Sequence, residues 1–347
     1  MTTRSDPPKS PGRSRSGLLR SSLLITLFAV TLAGVGCVSI DVLGGGASAP
    51  LQQSVVAGSS GPKVLLLEID GLITGADAAP SFFGLEETSM VARVREVLDQ
   101  ARQDDDIQGV LLRIDSPGGT ATASEQVYTE ILRFKKERGA PVVAQLLTTA
   151  ASGGYYIAMA ADEVQAHPTT VVGSIGVIFT SMNFAGLMQK LGIEDQTITG
   201  GEFKDIGSPF RPLTPEERGQ LQSIVDDLHA RFRDIVDRGR PELTGEQVAA
   251  LANGRIYSAQ QALDNGLVDR VGAMADAFGL LSDRMGAPKI QVVAYHRPNT
   301  VRRNFYMSAP AGVPSLGGDA AMASMLEQLL GRPGFHYLWW PGLGGVR

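Results

Sequence analysis

From residue 63 to 70 the chain reads KVLLLEID, an almost unbroken apolar run of the kind a strand shows when both of its faces are covered. IQGVLLRID (107–115) and PVVAQLL (141–147) repeat the pattern. Between them the spacing becomes helical. Residues 88–103 place Val91, Val94, Val97, Leu98 and Ala101 on one side, and 124–138 form a second amphipathic stretch. Strands alternating with helices predict an α/β fold with parallel strands covered by helices. Further on, Thr214-Pro215-Glu216-Glu217 opens a helix: Thr as N-cap, Pro at the first position, Glu three places after the cap. Leu221, Ile224, Val225, Leu228, Phe232, Ile235 and Val236 give that helix one apolar face, read as packing. Thr244 caps a short helix, and GRIYSAQQALDNGLVDRVG follows at 254–272. Residues 310–347 are rich in Gly and Pro, with a short helical pattern at 319–330 and an aromatic cluster, FHYLWW, at 335–340. No compact domain is expected there.

The N-terminus follows a different pattern. Residues 1–20 carry Arg4, Arg13, Arg15 and Arg20, and residues 21–40 (SSLLITLFAVTLAGVGCVSI) carry no charge. As a helix those 20 residues reach about 30 Å, the thickness of a hydrocarbon core, with the positive flank inside. The stretch reads as an export signal or a membrane anchor. The small residues before Cys37 resemble a bacterial lipoprotein cleavage box, although Gly34 stands where such boxes favour Leu. Lipidation at Cys37 and an uncleaved anchor both remain open, and either puts the rest of the chain outside the cytoplasm. Residues 41–62, rich in Gly, Ala, Ser, Pro and Gln, read as a linker. The expected organisation is therefore 1–40 tail and anchor, 41–62 linker, 63–290 main folded domain and 291–347 C-terminal extension.

The chain has 347 residues, 43% apolar and 19% charged, with net charge −5, enough to bury a sizeable core. The acidic balance argues against nucleic acid as a partner. Asp104-Asp105-Asp106 reads as a solvated loop. Cys37 is the single cysteine, so no intrachain disulfide can form, and no His/carboxylate cluster has metal-ligand spacing. No metal or cofactor is called for.

Two Gly-rich turns follow buried strands. In Asp115-Ser116-Pro117-Gly118-Gly119, one fixed dihedral and two glycines let successive amides face one point, a nest suited to an oxyanion. In Ala150-Ala151-Ser152-Gly153-Gly154-Tyr155-Tyr156, a serine stands among small residues at the start of a helix. Each turn alone has a plain packing reading. Together they suit a nucleophile with its donors. None of His167, His229, His296 and His336 sits in a local serine-hydrolase motif; His296 and His336 are far in sequence from either turn. The base is then sought among the lysines: Lys9, Lys63, Lys135, Lys136, Lys190, Lys204 and Lys289. Lys204 lies in a Gly-flanked loop, GGEFKDIGSP (200–209), where the plain alternative is an exposed lysine paired with Asp205. An ordinary lysine amine titrates near 10.4, and a lysine base must be brought toward neutrality, a cost of about 4 kcal/mol that desolvation can supply. A nearby carboxylate opposes this, so Asp205 should point away from the amine.

DSPGG (115–119), ASGGYY (151–156), VVGSIGV (171–177), GEFKDIGSPFRPLTPEER (201–218) and GRIYSAQQALDNGLVD (254–269), in this order and spacing, resemble the bacterial signal peptide peptidase A family in its short, single-catalytic-domain form. The resemblance covers about 63–272. It implies a Clp protease/crotonase-like fold of stacked ββα units, and a serine peptidase with Ser152 as nucleophile and Lys204 as base. It further implies backbone donors from Gly118 and Gly119, and Ser174 assisting near the lysine. The implied partners are peptide substrates such as signal peptide remnants, the membrane, and further copies in a homo-oligomeric ring on the extracytoplasmic side. Two other readings stay open: a crotonase-like acyl-CoA enzyme, and a non-catalytic membrane scaffold docking through its aromatic tail.

Overall fold

A computed structural model of the chain describes residues 50–76, 88–298, 300, 302–307 and 334–339. The charged tail, the apolar segment 21–40, Cys37 and the helical pattern at 319–330 lie outside them. Among the described residues no helix is long and apolar enough to cross a membrane.

The main sheet grows from the three apolar runs. β2 (Lys63–Asp70) pairs in parallel with β3 (Ile107–Ser116), and β3 pairs in parallel with β5 (Val142–Ala151). Successive side chains of a strand point to opposite faces, and here both faces are buried. Leu65, Leu67 and Ile69 of β2 enter one apolar cluster, and Val64 and Leu66 enter another. That is the physical reason for the unbroken apolar run. The larger cluster is closed by α1 (Met90–Arg102), α2 (Ala121–Arg138), α3 (Gly153–Ala158) and the far half of α5 (Pro215–Gly239). The smaller one is closed by α8 (Met274–Met285) through Met274, Ala277 and Leu281.

Parallel pairing continues through β6 (Glu163–Ala166) to β10 (Arg270–Val271), and from the end of β5 to β7 (Val171–Gly173). Antiparallel β9 (Ile256–Ser258) borders β7. The other edge is β11 (Gln291–His296), parallel to β2, followed by antiparallel β1 (Gln52–Ala57). The mixed, parallel-rich α/β architecture is as expected. However, β1 lies within the segment read as a linker, and β11 lies beyond residue 290. A smaller antiparallel sheet joins β4 (Gly118–Thr120), β12 (Gly334–Leu338) and β8 (Ile178–Thr180), with β12 in the middle. Residues 335–339 of the aromatic cluster are thus built into the protein's own fold: Tyr337 is 1% exposed.

Helix ends follow their capping residues. Thr120 caps α2 by accepting from the Ala123 amide, which starts that helix three residues before the expected position. Thr214 and Glu217 form the full capping box of α5. Only Phe232, Ile235 and Val236 of its apolar face are fully buried; Leu221, Ile224, Val225 and Leu228 are half-buried. α6 (Gly245–Leu251) and α7 (Ala259–Asp264) are each capped in the same way, by Thr244 and Ser258. Between β8 and α5 the chain makes an exposed arm that includes α4 (Ala185–Leu191), a helix with no buried residue.

Candidate active site

Three turns meet where β3, β5 and β7 end. The first leaves β3. Ser116 Oγ donates to the Gly71 carbonyl at 2.6 Å and accepts from the Gly118 amide at 3.1 Å. The Ile73 amide donates to the Gly118 carbonyl, and the Thr120 amide to the Ile73 carbonyl, at 2.9 and 3.0 Å. Asp115 Oδ1 accepts from the Thr149 amide at 3.0 Å, fastening this turn to β5.

The second turn leaves β5 at Ser152, whose φ of 53° and ψ of −116° are rarely adopted by a residue with a side chain. It is a strained strand-to-helix elbow, held by a 2.7 Å hydrogen bond from the Ser152 amide to the Gly173 carbonyl. The glycines after it are required by space. A Cβ on Gly154 would lie 2.8 Å from the Ser116 carbonyl oxygen, and one on Gly153 would lie 2.4 Å from Ser124 Oγ. Ser152 is 1% exposed, and its Oγ has no hydrogen-bond partner among the described residues. A buried hydroxyl without a partner costs about 1–3 kcal/mol, which marks a place where a group is expected.

The third turn leaves β7 at Gly173-Ser174. Gly173 pairs with Ala151, so Ser174 comes beside the Ser152 elbow. Ser174 also has positive φ, 51°, and its amide donates to the Arg255 carbonyl at 2.7 Å.

The structure therefore brings Gly118, Gly119, Ser152 and Ser174 together. It does not bring Lys204 to Ser152. Lys204 is exposed on the arm, and no hydrogen bond joins the two among the described residues. Its neighbour Asp205 is turned to Arg211, which donates from Nε and Nη2 at 2.7 Å each and holds the carboxyl below its usual range. Arg211 also binds Glu217, tying the arm's return to the start of α5.

Sequence reasoning missed two features. The Gly153 nitrogen lies beside Gly118, 2.8 Å from where a Cβ there would sit, while the Gly118 amide is already engaged by Ser116 Oγ. The second is β12. His336, set apart in the sequence reading, lies opposite Thr120 in register and is buried with Nε2 unpartnered among the described residues, so it is not bonded to Ser152. Burial holds the His336 ring below its ordinary value. Tyr337 stacks on Tyr156 at 5.1 Å and packs on Phe232 at 4.9 Å, and its hydroxyl donates to the Leu228 carbonyl at 2.8 Å. Tyr156 donates to Glu125, which Arg231 also grips at 2.7 Å. Burial, then this bond, pushes the Tyr156 hydroxyl well up. Only the aromatic composition of 335–340 pointed here, and it carries no register. Among the described residues no His, Cys, Asp or Glu side chains gather into a metal site.

Residues 134–287 match the model of peptidase family S49. A protein of Enterococcus faecium named "Putative signal peptide peptidase SppA" is 32% identical over 293 residues, 82% of this chain and 83% of the relative. "Serine protease SPPA, chloroplastic" of Arabidopsis thaliana is 31% identical over 244 residues, and "Protease 4" of Haemophilus influenzae is 32% identical over 215. The match covers 69% and 62% of this chain, but only 35% and 34% of those longer relatives. A serine peptidase is what the elbow and its glycines suit, and a likeness across most of both chains settles the kinship: this chain belongs to the signal peptide peptidase A family of serine peptidases, family S49.

Proposed function

We propose that the chain is an endopeptidase that degrades cleaved signal peptides and other apolar, extended peptides at the membrane, with Ser152 as nucleophile and Lys204 as general base. The observation that carries this reading is the buried, unpartnered Oγ of Ser152 on a strained elbow. The amine of Lys204 takes the Ser152 proton as Oγ attacks the peptide carbonyl. The oxyanion is received by backbone amides of the Gly118-Gly119 turn, chiefly Gly119, together with Gly153, because the Gly118 amide already serves Ser116. The lysinium then protonates the leaving amine, and water, activated by the same lysine, hydrolyses the acyl-enzyme. Ser174, beside the elbow, orients the incoming amine.

Within one chain Lys204 is exposed and makes no hydrogen bond to Ser152, and in this reading the lysine comes from the arm of a second copy. What supports this is the arm's surface. Phe184, Leu187, Leu191, Ile193, Ile198 and Phe203 are all at least 43% exposed, an apolar face that neighbours in a ring would cover. The peptidase domain is assigned to 63–290, widened at its edge by β1 and β11, in a fold of the Clp protease/crotonase kind. Segment 21–40, or a lipid on Cys37, holds it to the membrane with the site on the extracytoplasmic side.

The test is hydrolysis of a fluorogenic apolar peptide by wild type, Ser152→Ala and Lys204→Ala between pH 6 and 10. Both variants should lose at least ~10³-fold, and the wild-type rate should rise through a single ionisation. Full activity in Lys204→Ala would remove the dyad.

A further inference from the structure

Ser116 ends β3 and is wholly buried, at 0% exposed. Its hydroxyl proton is committed: it goes to the Gly71 carbonyl at 2.6 Å. Gly71 is itself fixed, its amide donating to the Asp115 carbonyl at 2.9 Å. A hydroxyl has one proton and two lone pairs, so on its other side Ser116 Oγ can only accept. It accepts from the Gly118 amide at 3.1 Å.

That bond orients the peptide between Pro117 and Gly118. The C=O and N–H of a trans peptide point in opposite directions. The Gly118 N–H faces Ser116, and the Pro117 carbonyl faces the other way, where it accepts from the Trp339 amide at 2.8 Å. Gly118 has φ of 104°, the left-handed kind of conformation that a type II turn needs after its proline. Turning this one peptide over gives a type I turn, which Pro followed by Gly also allows. The Ser116 hydroxyl favours the first arrangement over the second.

The two Gly-rich turns touch at this point. A Cβ on Gly118 would lie 2.8 Å from the Gly153 nitrogen. One on Gly154 would lie 2.8 Å from the Ser116 carbonyl oxygen and 3.4 Å from Ser116 Cβ. A change at Ser116 therefore reaches the backbone on both sides of the oxyanion position.

We propose that Ser116 is a positioning residue of the oxyanion site: its hydroxyl keeps the Gly118 N–H turned onto itself, so that the Gly119 and Gly153 amides receive the oxyanion from fixed places. This rests on the peptidase reading above and deepens it. Ser116 acts through the peptide it holds and not on the substrate. Without the hydroxyl the Pro117–Gly118 peptide turns over, and the donors no longer converge when the oxyanion forms.

Such a fault is felt by the transition state and not by the bound peptide. Measured per site titrated with a fluorophosphonate, the full chain carrying Ser116→Ala should lose at least ~30-fold in kcat, with KM within about threefold. The pH midpoint of the rate should stay in place, because the base is untouched. A peptide aldehyde of the same apolar sequence gives a second reading. Ser152 Oγ adds to its carbonyl carbon, and the carbonyl oxygen becomes the oxyanion. Its inhibition constant should rise by a factor similar to the loss in kcat. The uncleaved peptide should bind Ser152→Ala chains, with and without Ser116→Ala, within about twofold of each other.

Fewer titratable sites with kcat per site and the aldehyde constant unchanged would show a merely structural serine and overturn the proposal. Equal losses of affinity for the aldehyde and the uncleaved peptide would overturn it as well. A wild type that cleaves no peptide, and binds the aldehyde no more tightly than the corresponding alcohol, would instead count against the peptidase reading.

Discussion

Ser152 and Ser174, at φ of 53° and 51°, are the described non-glycine residues with positive φ, and both lie at the meeting of the three turns. Such conformations cost about 1–3 kcal/mol each and persist only when neighbours hold them, here through the Gly173 and Arg255 carbonyls. Ser152→Gly should therefore abolish cleavage yet raise the urea midpoint, because it relieves the φ strain and removes a buried hydroxyl without a partner. A lower midpoint would show that the elbow is unstrained. Gly154→Ala should act in the opposite sense. Its Cβ meets a backbone oxygen at 2.8 Å, so the elbow shifts, stability falls by about 1–3 kcal/mol and activity falls with it. The Ser152 turn stood out as a candidate in the sequence only beside the Asp115–Gly119 turn, because either turn alone also fits plain packing. The donor role proposed for the Gly153 amide could not be read, since every residue but proline carries an amide and only the fold sets Gly153 N beside Gly118.

Periodicity carried the elements that are locally complete. β2 could be read because both of its faces are buried, and α5 because its cap, Pro215 and Glu217 are contiguous. β1, β11 and β12 are short, and their partners lie far away: Gln52 pairs with His296, and Leu338 with Gly118. Register over such separations leaves no local pattern. The Arg211 cluster at the start of α5 was also missed, because its members are drawn together by the turn of the arm. Arg211, then the Thr214 amide, holds Glu217 down to about 2 from an ordinary 4.5. A carboxyl depressed in the fold contributes stability that is fully present above its ordinary value and is lost as pH falls through its folded value. Wild type should therefore lose stability between pH 4.5 and 2 more steeply than Glu217→Gln, as read from urea midpoints at each pH. Parallel curves would show that the pair contributes nothing to acid sensitivity.

Across the molecule, the exposed apolar arm and the half-buried first half of α5 lack a covering partner among the described residues, while Ser152 lacks a base. The ring proposed above would answer both: copies head to tail, each arm covered by its neighbour and each lysine serving the neighbour's serine. Ring assembly predicts that Leu187→Glu with Leu191→Glu, both on the exposed helix α4, lowers the sedimenting mass and the activity together. A monomer with wild-type activity would sever that link. The most direct measurement is complementation. Ser152→Ala and Lys204→Ala chains are each assayed alone and after co-expression in equal amounts. Each should be inactive alone, and the mixed assembly should recover about a quarter of wild-type activity, because a site then works where an intact serine meets an intact lysine from the next copy. A mixture as inactive as its parts, beside an active wild type, would place the base within one chain or on another residue and contradict the account.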